Sequence, residues 1–225
     1  MPAFEAAWNS GAQWVEADTQ PTADGVPVIL HDELLDRTTS GTGPIRAQLA
    51  AELAQVRVLG LPASRVPELA SVLAALVPER KVLLEIKGEH TAEQVGAVLR
   101  VTREHERQVE LESFEVDVLR QVRAREPARA VGLLVEHMDD DPVAVSRELG
   151  AAAYNPDYRE ILRRPQVVTA LRTAGIAVAA WTCDDPGDWA LLTDAGVDAI
   201  ITNTPAELLA WQRSRIGLLR PSNRG

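Results

Sequence analysis

The chain has 225 residues, 46% of them hydrophobic, with 23 basic against 33 acidic side chains and a formal charge of −10. That length supports one sizeable core rather than two, and the acidic balance excludes nucleic acid and anionic membrane surfaces as bulk partners. No apolar run approaches the roughly 20 residues of a membrane-spanning helix, and the lone cysteine, Cys183, excludes an intramolecular disulfide or a thiolate zinc site.

The opening residues, Met1 to Trp8, carry neither the basic nor the apolar segment of a secretory signal and read as a helix, so a cytoplasmic setting is expected. A first strand is predicted over Trp14–Asp18. The rhythm then breaks from Thr19 to Thr39. Asp24-Gly25 marks a tight turn, the extended run Val26–Leu30 follows, and this β-hairpin excursion ends in His31-Asp32. From Lys81 onward, short apolar runs at Val82–Ile86, Val109–Leu111, Ala130–Val135, Ala151–Tyr154, Ile176–Trp181 and Ala199–Thr202 read as strands. Helical periods lie between and after them, at Thr91–His105, Glu115–Arg125, Asp141–Leu149, Leu162–Thr173, Pro186–Asp194 and Pro205–Ser214. In the first of these, Val95, Val98, Leu99 and Thr102 share one face, and Thr91 stands where an N-cap belongs.

Strands this apolar, separated by helices, form a parallel sheet buried on both faces. No Gly-rich turn follows the first strand, so a (β/α)8 TIM barrel is favoured over an open nucleotide-binding sheet, with seven strands in view. Residues 1–215 form one barrel domain, and 216–225 a frayed tail.

Glu16 and Asp18 stand two apart on a strand and leave the same face. Inside a barrel two bare carboxylates are costly, and a hard divalent cation, Mg²⁺ or Ca²⁺, relieves the cost. The plainer alternative is a strand end whose carboxylates reach solvent. Glu85 interrupts the otherwise apolar Val82–Ile86 strand, a neighbour of the first, and brings a third carboxylate. Lys87, one of two lysines, shares its face. It is suited to a phosphoryl oxygen, or else to an ion pair with Glu85 or Glu16. His31, with Asp32 to orient it, is a candidate acid or base. Asn155 and Trp181, at the ends of their strands, are expected at the barrel mouth as substrate contacts. His90, His105 and His137 are expected to be solvated.

Several motifs then line up in order. They are Gly11-Ala12-x-x-Val15-Glu16-Ala17-Asp18, Thr22-x-Asp24-Gly25-Val26-Pro27-Val28-x-x-His31-Asp32, Leu35-x-Arg37-Thr38-Thr39, Leu84-Glu85-Ile86-Lys87, Ser113-Phe114, Trp181-Thr182 and Gly196-Val197-Asp198. Together they resemble the glycerophosphodiester phosphodiesterase family across nearly the whole chain. The resemblance implies a (β/α)8 barrel that hydrolyses glycerophosphodiesters to glycerol 3-phosphate and an alcohol with a divalent cation. By that resemblance Glu16, Asp18 and Glu85 are metal ligands, His31 is one of two catalytic histidines, and Lys87 contacts phosphate. Members of the family open with a strand ending His-Arg-Gly and a loop carrying Pro-Glu-Asn-Thr, whereas this sequence opens at the helix that follows, Ala3-Phe4-Glu5-Ala6. A barrel without its first strand is therefore expected to turn over slowly or not at all. Its edges at Glu16 and Val197–Thr202 are expected to invite self-association. The alternative function is a non-catalytic phosphate-binding or regulatory relative that keeps the metal cluster.

Overall fold

The structure is a computed structural model that describes residues 2–219. Helix α1 (Pro2–Ser10) leads into β1 (Trp14–Pro21). This strand outruns its expected end because its last residues find antiparallel partners in β2 (Pro27–Ile29), with Thr19 opposite Ile29 and Gln20 opposite Val28. The turn between them is closed by Thr22 N–H donating to the Val26 carbonyl and Gly25 N–H to the Thr22 carbonyl, each at 3.0 Å. Gly25 takes φ +77° there, a conformation open to glycine at no steric cost.

The stretch between β2 and the repeating unit carries elements that no periodicity announced: α2 (Ala50–Leu53), the hairpin β3 (Arg57–Val58) and β4 (Leu61–Arg65), and α3 (Leu69–Leu73). Most of it packs on a small core of its own, of Val28, Leu35, Ile45, Leu53 and Val66, while Leu69 and Leu73 of α3 join the main core.

The repeat follows as β5 (Lys81–Ile86), α4 (Ala92–Thr102), β6 (Val109–Ser113), α5 (Val116–Arg125), β7 (Val131–Val135), α6 (Pro142–Leu149) and β8 (Ala153–Pro156). It continues through α7 (Tyr158–Arg163), α8 (Gln166–Thr173), β9 (Ala179–Ala180), α9 (Pro186–Ala195), β10 (Ala199–Ile200) and α10 (Pro205–Leu219). Strands β1, β5, β6, β7 and β8 form one parallel ladder. Parallel bridges Ala153–Ala177 and Asp157–Trp181 carry it to β9, which pairs with β10. Seven parallel strands in chain order result among the described residues. There, neither β10 nor the Trp14–Asp18 stretch of β1 has a strand on its other side. The apolar faces of the helices close over the outer face of this sheet. In α4, Val95, Val98, Leu99 and Thr102 are all buried, and a capping box joins Thr91 and Gln94.

Other boundaries also depart from the sequence reading. The helix expected over Leu162–Thr173 is two helices, because Pro165 has no N–H to donate and disfavours the helical region for Arg164, which takes φ −135°. The strand expected over Ile176–Trp181 keeps a ladder only at Ala179–Ala180. Its Val178 N–H donates to the Asp198 carboxylate at 3.0 Å and its Ala179 N–H to Asn155 Oδ1 at 3.1 Å, so side chains take donors a longer ladder would use. The tail expected from residue 216 is helical as far as Leu219, and the rest of it, 220–225, lies outside the described residues.

Candidate functional site

Register decides which side chains meet inside the barrel. Asp18 lies opposite Glu85, and Glu85 opposite Glu112, so these three carboxyls belong to one interior layer. Glu16, opposite Leu83, rises from the layer beneath. The carboxylate oxygens of Glu16, Asp18 and Glu85 come within 4.8 Å of one another. Lys87 leans over them, its Nζ 2.9 Å from Asp18 Oδ1 and 3.7 Å from Glu85 Oε2. Asp18, not named among its expected partners, is the one it holds most closely.

Burial and crowding set the charge states. Burial pushes the Glu85 carboxyl up to about 7 even though Lys87 pulls the other way, and Asp18 adds to the rise. Glu112, 1% exposed, is pushed up by burial to about 8, against the hydrogen bond it accepts from Asn155. Glu16 is raised by the protein packed round it and then by Asp18, Glu112 and Glu85, although solvent still reaches its side chain. Burial alone would lower the Lys87 ammonium, but Asp18, Glu85 and Glu16 hold it above its ordinary value. One ammonium therefore faces four carboxyls. An all-oxygen donor set short of positive charge fits a hard divalent cation, and Glu16, Asp18 and Glu85 are the residues that would hold it.

His31 follows β2 at the rim. Its Nδ1 is 2.8 Å from Asp32 Oδ1, and the Arg37 guanidinium grips the same carboxylate through both oxygens, at 2.6 and 2.7 Å. Those hydrogen bonds, Arg37 first and His31 second, hold Asp32 down at about 2. The imidazole side chain itself is 68% exposed. Trp181 packs edge-on against Phe114 with ring centroids 5.4 Å apart, and its indole N–H donates to the Asn155 carbonyl at 2.7 Å. Asn155 is placed differently from expectation. It is 1% exposed rather than open at the mouth, and its amide N–H donates to Glu112 Oε2 at 2.7 Å while its Oδ1 accepts from Ala179 N–H. Gly132 makes that reach possible, since a Cβ there would sit 2.9 Å from Asn155 Nδ2.

Three residues escaped the sequence reading. Glu112 lies one residue past the expected end of its strand; the two-residue spacing of Glu110 and Glu112 in an apolar run was the signal for it. Gln20 and Arg46 gave none, because their contacts are to backbone. Arg46 donates to the carbonyls of Lys87 and Glu89 at 2.8 and 2.7 Å, fixing the loop that carries Lys87. His90 is a correction: far from solvated, it is buried, with Nδ1 3.0 Å from the Gly88 carbonyl, and burial lowers its imidazole.

Fold and site together define a parallel βα barrel with an acidic, cation-demanding cluster at the strand ends where such barrels do their chemistry. The model of the glycerophosphoryl diester phosphodiesterase family matches residues 1–207, and the chain belongs to that family. A glycerophosphodiester phosphodiesterase of Caldanaerobacter subterraneus subsp. tengcongensis is 29% identical over 93% of this chain and 89% of its own. A probable glycerophosphodiester phosphodiesterase 2 of Mycobacterium tuberculosis is 31% identical over 93% and 82%. Among solved structures, an Oleispira antarctica phosphodiesterase in complex with the product sn-glycerol-3-phosphate superposes with a TM-score of 0.85 at 25% identity, covering 94% of this chain and 89% of that one. A further structure, from Silicibacter pomeroyi, matches the (β/α)8 fold with a TM-score of 0.86.

Proposed function

We propose that the chain hydrolyses glycerophosphodiesters to sn-glycerol 3-phosphate and an alcohol, with Glu16, Asp18 and Glu85 as the ligands of Mg²⁺ or Ca²⁺. The observation that carries this is the convergence of those three carboxylates beneath Lys87 in a chain of this family. A bound divalent cation supplies neutralisation of phosphoryl charge and a lowered pKa for an attacking oxygen. The chain's own residues do the rest. Lys87 meets a phosphoryl oxygen as a positioned point charge. His31, oriented by Asp32, moves a proton to or from the reacting oxygens, and Trp181 with Phe114 walls the mouth. Asn155 acts from beneath, holding Glu112. A cytoplasmic setting suits a chain whose one cysteine, Cys183, is a buried free thiol. No helix among the described residues is long and apolar enough to cross a membrane.

The test is glycerol 3-phosphate release from glycerophosphocholine by the purified chain with added Mg²⁺ or Ca²⁺. Release that a chelator abolishes supports the reading. Calorimetric binding of glycerol 3-phosphate without any release replaces it with the non-catalytic phosphate-binding reading. Self-association belongs to the same proposal, because among the described residues β10 and the Trp14–Asp18 stretch of β1 each lack a strand on one side. Sedimentation equilibrium is expected to show dimers, and a monomer at every concentration would exclude them.

A further inference from the structure

We infer that Gln20 is the positioning residue for His31; the inference rests on the reading of His31 as the acid–base group. Gln20 lies two residues beyond Asp18 on β1, on the same face of the strand, and is 1% exposed. Its Nε2 donates to three successive backbone carbonyls, those of Leu30 at 2.9 Å, His31 at 3.2 Å and Asp32 at 2.9 Å.

Three consecutive carbonyls aimed at one point repel one another unless a donor sits between them, and neither a strand nor a helix arranges them so. The chain has left the β1–β2 ladder at Ile29, and beyond it the Leu30 N–H to Asp18 carbonyl bond, at 3.1 Å, is the one main-chain tie from this segment to β1 among the described residues. The His31 ring cannot anchor itself, since it is mostly exposed and the carboxylate it meets, that of Asp32, belongs to the same segment. The amide is what holds the carbonyls together. Its orientation is not interchangeable, because turning it over would set Oε1 against three oxygens. The cost of this arrangement is visible in Gln20 Oε1, which is buried without a hydrogen-bond partner. A side chain that leaves its own acceptor unsatisfied in order to gather three carbonyls is specifying a backbone position. A misplacement of about 1 Å in a reacting group costs on the order of 10²-fold in rate.

A glutamine that merely secured the hairpin would, on replacement, lower stability without loosening His31 selectively. The test therefore compares Gln20→Met, of similar length and without donors, with Gln20→Lys, whose ammonium offers an N–H to each carbonyl. In Gln20→Met the ¹⁵N order parameters of His31 and Asp32 are expected to fall from about 0.85 to below about 0.6, with those of β5 and β6 unchanged. Turnover of glycerophosphocholine is expected to fall roughly 10- to 100-fold in kcat with KM and Mg²⁺ affinity held. Gln20→Lys is expected to restore the order parameters. Unchanged order at His31 in Gln20→Met overturns the inference, as does an equal loss in both variants; if Gln20→Met does not fold, loss of order in Gln20→Lys does the same. A His31→Ala control separates the two readings. If it leaves turnover intact, the role of His31 falls while the relaxation data still decide whether Gln20 holds the segment.

Discussion

In the absence of divalent cations, stability is expected to fall as pH rises from about 5 to about 8, and added Mg²⁺ is expected to recover it most strongly at the alkaline end. Glu112 carries the first half of this. Its carboxyl titrates near 8 in the folded chain because burial disfavours the charged form, against an ordinary value of 4.5. The folded state then holds a proton that the unfolded state has released throughout that window. Stability therefore has a negative slope between roughly pH 4.5 and 8 and is flat outside it for this group. At about 1.4 kcal/mol per pKa unit the loss over that window is on the order of 5 kcal/mol, a large fraction of the roughly 5–15 kcal/mol typical of a domain. Glu85, raised to about 7, adds in the same direction over a narrower range. Glu112→Gln keeps an acceptor for the Asn155 amide and has nothing to titrate, so it should flatten much of the slope and be more stable than wild type at pH 8. The cation acts on the other carboxyls. A cation held by Glu16, Asp18 and Glu85, as proposed, would compete with protons for these oxygens, so its effect should grow with pH and be lost in Glu85→Gln. Denaturant titrations at pH 5, 6, 7, 8 and 9, in chelator and in Mg²⁺, read both halves. A flat profile in chelator would sink the Glu112 argument, and an unchanged profile on adding Mg²⁺ the metal argument.

The same carboxyls show how much of the molecule can be read from its residues. Strand and helix alternation after Lys81 is written in periodicity, because each strand buries both faces and each helix one. The pairing of β1 with β5, which brings Glu16 and Asp18 to Glu85, follows from counting strands. What periodicity cannot carry is the stretch from Leu30 to Arg80. Its elements are two to five residues long, too short for a period to register; those before α3 pack on a satellite core, and only α3, through Leu69 and Leu73, joins the core of the barrel. Legibility in the site divides along similar lines. A charged residue in an apolar strand announces itself, as Glu85 does, but Gln20 and Arg46 act on backbone carbonyls that have no sequence identity to match. The misplacement of Asn155 has a different origin. Its position at a strand end was right in outline, but Gly132 on the neighbouring strand leaves a gap that lets its side chain reach the interior, and a missing Cβ opposite is not visible along one strand. The Ile176–Trp181 run, apolar enough for a six-residue strand, lost its ladder to Asp198 and Asn155, contacts between segments about 20 residues apart.

Replacing His31 with alanine is expected to lower kcat for glycerophosphocholine by about 10²- to 10⁴-fold, the usual range for removal of a general acid or base, with little change in Mg²⁺ affinity, since His31 stands outside the carboxylate cluster. Asp32 is held down at about 2 by Arg37 and His31, so it accepts from Nδ1 of the ring, and the rest of the imidazole is largely exposed. That is the orientation a proton-transferring histidine needs, with one nitrogen tethered and the other exposed to the reacting oxygens. Asp32→Asn keeps the shape but can no longer stabilise the imidazolium, and is expected to cost roughly 10- to 100-fold, as outer partners of functional histidines commonly do. Arg37→Leu should fall between Asp32→Asn and wild type, because it removes two hydrogen bonds from the carboxylate but leaves its charge. The leaving group reports the direction of the proton. If His31 protonates the departing alkoxide, a p-nitrophenyl ester of glycerol phosphate, whose leaving group needs no proton, should be cleaved by His31→Ala at nearly the wild-type rate. If His31 instead removes a proton from the attacking oxygen, both substrates lose equally. Wild-type rates on both substrates in His31→Ala would remove the imidazole from the reaction and leave the Asp32–Arg37 pair as a hydrogen-bonded clasp of the loop alone.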